Sequence, residues 1–173
     1  MGLDIVAYRN LIVDENASYN NGEGCYQIHI DIMNWSDNHL PLSDEVCYKI
    51  NSSDDKYSFK AGSYSGYNQW RDWLCNIIHG ISARELWDRI EEFKGTAFFE
   101  LIYFSDCEGA IGSIASKKLY KDFLDNQEIV NIWAKHKTAD PYAVWIVDYN
   151  VELYTKWLLA FKMASDNGAV CFY

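Results

Sequence analysis

Apolar and polar positions along the chain divide it into short, sharply bounded segments. Residues 3–8, LDIVAY, form a compact run of branched and aromatic side chains that predicts a buried strand. After a polar, Gly- and Asn-rich loop over 14–24, Tyr26, Ile28, Ile30 and Ile32 alternate with Gln27, His29, Asp31 and Met33, the period of two of a strand covering a core on one face. Residues 34–44 are turn-rich, 45–50 (EVCYKI) predict another strand, and 57–61 alternate again after the polar turn 51–56, as the return arm of a hairpin would. From there the spacing changes. Tyr67, Trp70, Leu74, Ile77 and Ile78 recur three and four apart, predicting a helix that ends near Gly80. Ser82 and Glu85 then match a capping box and open a short helix to about Phe93, with Leu86, Ile90 and Phe93 inward.

Residues 96–104, TAFFELIYF, are bounded by Gly95 and by Ser105 and Asp106, and predict a central strand. Ile114, Leu119, Phe123, Val130 and Trp133 predict one long helix from Ser113, with Lys117, Lys118 and Lys121 solvated. Asp140 and Pro141 are a cap followed by proline at the first helical position, opening a last helix to about Asp166 that stops at Asn167 and Gly168; residues 169–173 read as a closing strand. Strands dominate the first third and helices the rest, which is not βαβ alternation. The expected class is α+β: a mixed or antiparallel sheet of about five to six strands packed against three to four helices, in a single domain over 1–173.

Composition fits one core. Of 173 residues 49% are hydrophobic and 16% aromatic, enough for one well-packed interior and too few for two domains of ordinary size. The net charge of −10 repels phosphate backbones and anionic membranes, so neither direct nucleic-acid binding nor membrane association is expected; a basic partner surface would suit it. The five cysteines are scattered, odd in number and without a C-x-x-C pair. With neither a signal peptide nor an apolar run near 18 residues, a reduced, cytoplasmic setting is expected.

Two segments are candidates for chemistry. GSYSGYNQWR, residues 62–71, sits where a strand gives way to a helix, the context of a nucleophile elbow, but the central position of its G-x-x-x-G is Tyr64 and neither Ser63 nor Ser65 takes the apex. It offers instead a helix N-terminus flanked by Gly62 and Gly66, where amides with Ser63, Ser65, Tyr67, Asn68 and Arg71 could grip an anion. The plainer alternative makes Ser65 the helix cap and Tyr67 and Trp70 core. FSDCEGAIG, residues 104–112, reads as strand, loop, helix, and carries Asp106 and Glu108, which could hold a divalent cation, share acid and base roles, or simply favour a helix start. His29, His39, His79 and His136 have no metal-ligand spacing, and no phosphate-binding glycine loop is present, so no metal or cofactor is expected. Trp133, Trp145 and Trp157 are candidates for aromatic surface facing a protein partner, with core the alternative.

The opening MGLDI with Ala7 and Tyr8, the GSYSGYNQWR and FSDCEGAIG segments, and the ending from Phe161 through Ala164 to residues 167–172 (NGAVCF) together resemble a family of small uncharacterised proteins encoded by bacteria and their phages. Its marked positions fall on Tyr64, Gly66, Tyr67, Asn68, Trp70 and Arg71 and on Asp106, Glu108, Gly109 and Gly112. The chain departs from the family at its end, where Cys171, Phe172 and Tyr173 replace an acidic residue, an aromatic and a histidine. The resemblance implies a phage or mobile-element setting, in which small acidic proteins often block a host component. Two readings follow: a non-enzymatic binding protein that engages a host protein or a small polar ligand, or a small enzyme acting on an anionic, nucleotide-like substrate through Asp106 and Glu108. Both place the site where the two segments meet.

Overall fold

Both ends of the chain enter one sheet. The computed structural model describes residues 2–14, 26–27, 47–107, 109–135 and 141–173. In chain order its elements are β1 (Leu3–Tyr8), β2 (Ile12–Val13), β3 (Tyr26–Gln27), β4 (Cys47–Lys49), β5 (Lys56–Gly62), α1 (Tyr64–His79), α2 (Ala83–Asp88), α3 (Ile90–Phe93), α4 (Phe99–Tyr103), β6 (Gly109–Gly112), α5 (Ser113–Asp125), α6 (Gln127–Lys135), α7 (Pro141–Ala164) and β7 (Ala169–Phe172). The architecture is α+β. A four-stranded antiparallel sheet runs β5-β1-β7-β6, and β4 lies between β2 and β3 in a smaller sheet.

Alternation sorts the four-stranded sheet into two apolar faces. Leu3, Ile5, Ala7, Val170, Phe172 and Ile111 join the main core, while Tyr8, Ala110, Ala169 and Cys171 pack with Leu11 and Tyr48 on the other side. The long helix α7 crosses β1, β5 and β7 and brings Trp157, fully buried, against Phe59, Tyr67, Trp70, Phe161 and Phe172.

Several expectations are corrected. Residues 96–104 contain α4 and no strand. An apolar run this dense is buried whichever period it adopts, so it does not distinguish strand from helix; Phe98 enters the helix in the left-handed region (φ 59) with its amide held by Asp122 at 2.9 Å. The central strands are supplied by the two termini instead. Residues 57–61 do not return on 45–50: β5 pairs with β1, and β4 with β2 and β3. The helix expected from Ser113 is broken at Asn126, whose side chain donates to Asp122 O at 2.8 Å, and the one opened by Ser82 is broken at Arg89. Its capping box is present, with both Ser82 and Glu85 bonded reciprocally. Among the described residues there are therefore seven helices and seven short strands; the remainder of the strand expected over 26–32 lies outside them, as does Asp140.

A carboxylate latch fastens the end of β1. Asp55, 7% exposed, accepts from Arg9 Nε at 2.9 Å and Asn10 Nδ2 at 3.1 Å, and these two hydrogen bonds, the arginine's first, hold its acid strength above that of an ordinary carboxyl. A folded pKa lowered in this way contributes stability that is present above the unfolded value of about 3.9 and is lost as pH falls through the folded one. The urea midpoint of wild type should therefore exceed that of Asp55→Ala at pH 7, with the gap closing below pH 4.

Candidate functional site

Strand β5 ends at Gly62, whose φ of 103° belongs to glycine and whose added Cβ would stand 2.7 Å from the Tyr149 hydroxyl. Ser63, not Ser65, caps α1: its Oγ accepts from the Gly66 amide at 3.1 Å, and the Ser65 hydroxyl lies 3.1 Å from it. The helix thus starts one turn before the apolar pattern, at Tyr64, because the cap lies three residues before Gly66. At 3.6 residues per turn, Tyr67, Trp70, Arg71, Leu74 and Cys75 face inward. Tyr67 and Trp70 are core, packed against Trp157 with ring centroids 5.5 and 5.9 Å away, as the plainer reading of this segment expects.

Arg71 turns inward too. Only 2% exposed, it donates through Nη1 to Ile102 O at 3.2 Å and to Phe104 O, and through Nη2 to Asn68 Oδ1. Ile102 and Phe104 are at the C-terminal end of α4, where main-chain carbonyls lack helical donors and a cation is favoured. The guanidinium carbon lies 4.7 Å from the Tyr67 ring centroid and 5.4 Å from that of Trp87, and Trp87 Nε1 shares the Ile102 carbonyl at 3.0 Å. Asn68, its oxygen committed to the cation, gives its Nδ2 to Asp106 at 2.6 Å. A continuous path of hydrogen bonds runs from α4 through Arg71 and Asn68 to Asp106.

The segments 62–71 and 104–112 therefore meet, but only through part of each. Asn68, Arg71 and Asp106 line an open cleft of about 560 Å³ together with Trp87, Tyr103, Phe104 and Ser105. Ser63, Gly66 and Trp70 line a separate cavity against α7. The shared cleft expected to include both therefore divides, because residues 66 and 70 sit on one flank of the helix and 68 and 71 on the other. Tyr64 and Ser65 line neither space. Nor does residue 106 start a helix: α4 is followed by a short loop and then by β6, whose four residues are buried, so Gly109 and Gly112 pair with Phe172 and Ala169 in the sheet and lie away from the cleft. Gly112 caps α5. Glu108 is outside the described residues.

Trp87, Tyr103 and Ser105 were not singled out from the sequence. Trp87 follows the buried Leu86 on α2 and is 37% exposed; a tryptophan on the polar side of a short helix was the available signal. Tyr103 lies within the run 96–104, where uniform burial hides which side chains reach a surface. Among the described residues no three His, Cys, Asp or Glu side chains could hold a metal together. His79 has its Nε2 2.9 Å from Ala97 O, while His29, His39 and His136 lie outside the described residues. Cys75, Cys107 and Cys171 are free thiols, and burial pushes Cys75 and Cys171 up to about 12. Among the described residues no helix is long and apolar enough to cross a membrane. No family model matches the chain, and no curated protein or solved structure matches it.

Proposed function

We propose that the chain is a non-enzymatic binding protein of the phage or mobile-element type. Its cleft takes a cationic or hydrogen-bond-donating group of a host protein and so blocks that protein; a small polar ligand with such a group is the same chemistry in miniature. The observation that carries this reading is the commitment of Arg71. Its guanidinium is used on Ile102, Phe104 and Asn68, so the cleft presents acceptors and aromatic faces: the Asp106 carboxylate, Ser105, Tyr103 and Trp87. A cation is drawn both to the carboxylate and to the face of an indole, and a net charge of −10 steers it there. An enzyme using Asp106 and Glu108 would need Arg71, 2% exposed with both Nη atoms engaged, to turn out of the interior before it could steady an anionic substrate. The free thiols support a cytoplasmic setting.

Titration with short arginine- or lysine-containing peptides, followed at the Trp87 indole N–H by NMR, tests this. Saturable binding that weakens with salt, and that falls roughly ten- to a hundred-fold in Asp106→Asn, is expected, since a charge-assisted hydrogen bond contributes about 1.5–3 kcal/mol. Turnover of a nucleotide or ester panel that Asp106→Asn abolishes would favour the enzyme instead.

A further inference from the structure

Two features of the cleft at Asp106 bear on which cation it takes. The first is the carboxylate itself. Asn68 Nδ2 donates to Asp106 Oδ2 at 2.6 Å, whereas Oδ1 has no partner among the described residues. Asn68 is held in that pose, because its own oxygen accepts from Arg71 Nη2 while Arg71 Nη1 is anchored on Ile102 O at 3.2 Å. A guanidinium binds a carboxylate best through two parallel N–H···O bonds, one to each oxygen. Here one oxygen already has its N–H. An ammonium, a compact charge with rotatable donors, needs Oδ1 alone. The second feature is Trp87. The Arg71 guanidinium carbon lies 5.4 Å from its ring centroid, and its N–H is given to Ile102 O at 3.0 Å, yet the residue is 37% exposed and lines the cleft. A second guanidinium laid on that indole would face the charge of the first across one ring, which opposes it. An aliphatic stem brings no charge to the ring and packs there while its charged head reaches a polar group beyond.

We infer that the cleft selects a lysine side chain of the partner protein over an arginine, and that Asn68 sets the preference. This rests on the reading of the cleft as a site for cations and narrows it to one. The lysine stem lies along Trp87 and beside Tyr103, whose ring is stacked on Phe99 with planes at 9°, and the ammonium donates to Asp106 Oδ1. Arginine loses on both counts: its fork finds one carboxylate oxygen engaged, and its flat charged head finds the indole already carrying Arg71. The same chemistry rejects an acetylated lysine, which keeps the stem but has neither the charge nor the ammonium donors.

The test is titration of the full chain with three end-blocked glycine peptides that differ only in one central residue, lysine, arginine or acetyl-lysine, followed at the Trp87 indole N–H by NMR. The first two carry one positive charge each, so the net charge of −10 attracts them alike and their ratio reads the local geometry. The lysine peptide is expected to bind about threefold or more tighter than the arginine peptide, the worth of a hydrogen bond gained or lost, and the acetylated one not to saturate. In Asn68→Ala, which returns the second oxygen to an incoming fork, the ratio should fall toward parity or reverse. The wild-type ratio carries the test even if that variant is too unstable to titrate. Equal affinity in wild type, or a preference for arginine, would overturn the inference while leaving the cleft a cation site. A lysine preference unchanged in Asn68→Ala would overturn the part assigned to Asn68, and silence with all three peptides would remove the inference and the cation site together.

Discussion

Replacing Gly168 with alanine is expected to destabilise the protein more than any other single methyl addition. An added Cβ there would stand 1.8 Å from Tyr8 O, 2.7 Å from Tyr8 C and 2.9 Å from Arg9 Cα. All three are main-chain atoms at the end of β1, and that main chain cannot retreat. Arg9 N is bonded to Asp55 O, Asn10 N to Asp166 O and Leu11 N to Asn167 O, all at 2.9–3.0 Å, while Tyr8 is in register with Ala169. Overpacking that side chains absorb costs about 1–3 kcal/mol; a backbone clash inside a hydrogen-bonded corner exceeds it. The expected loss is more than about 3 kcal/mol, a fall in melting temperature of roughly 6–12 °C or more, read by thermal unfolding. Gly80→Ala is the control. Gly80 has a φ of 72° but open space around it, so its cost is limited to the left-handed conformation, about 1–2 kcal/mol.

The second large effect is expected at Arg71. Arg71→Met keeps the length and the apolar stem but strands the Phe104 carbonyl and the Asn68 oxygen and leaves the Ile102 carbonyl to the Trp87 indole alone. Leaving a buried acceptor without its donor costs about 1–3 kcal/mol, so the two stranded oxygens together make this a large loss. Arg71→Lys should recover less than half, because a single ammonium cannot span two carbonyls and an amide while lying over Tyr67 and Trp87. Urea unfolding measures the stability. The Trp87 indole N–H, which shares the Ile102 carbonyl, should report cleft rearrangement in both variants.

The fold class was legible because local signals at Leu3–Tyr8, at the Ser82 capping box and at Ala169–Phe172 agree with the tertiary structure. Pairing was not. Whether β5 joins β1 or the segment before it depends on contacts across about fifty to sixty residues, which periodicity does not encode. The TAFFELIYF run was misread since uniform burial erases the difference between a period of two and one of 3.6. The same ambiguity hides the site, because Arg71 is buried on the carbonyls at the C-terminal end of α4, which a strand would not present. Asn68, Arg71 and Asp106 were found by residue type and by their position in two unusual segments, and they do meet; Ser63, Gly66 and Trp70 were in the same segment but face another cavity. Sequence spacing named the helix without giving its rotation.

The central claim is that Asn68 and Asp106, 38 residues apart, are bonded to each other and so tie α1 to the loop that follows α4. A double-mutant cycle on Asn68→Ala and Asp106→Ala, measured by urea unfolding at pH 7 and low salt, tests it most directly. The account predicts a coupling of about 1.5–3 kcal/mol, the worth of a hydrogen bond to a charged group. Additivity within about 0.5 kcal/mol, as for residues that do not touch, would contradict it.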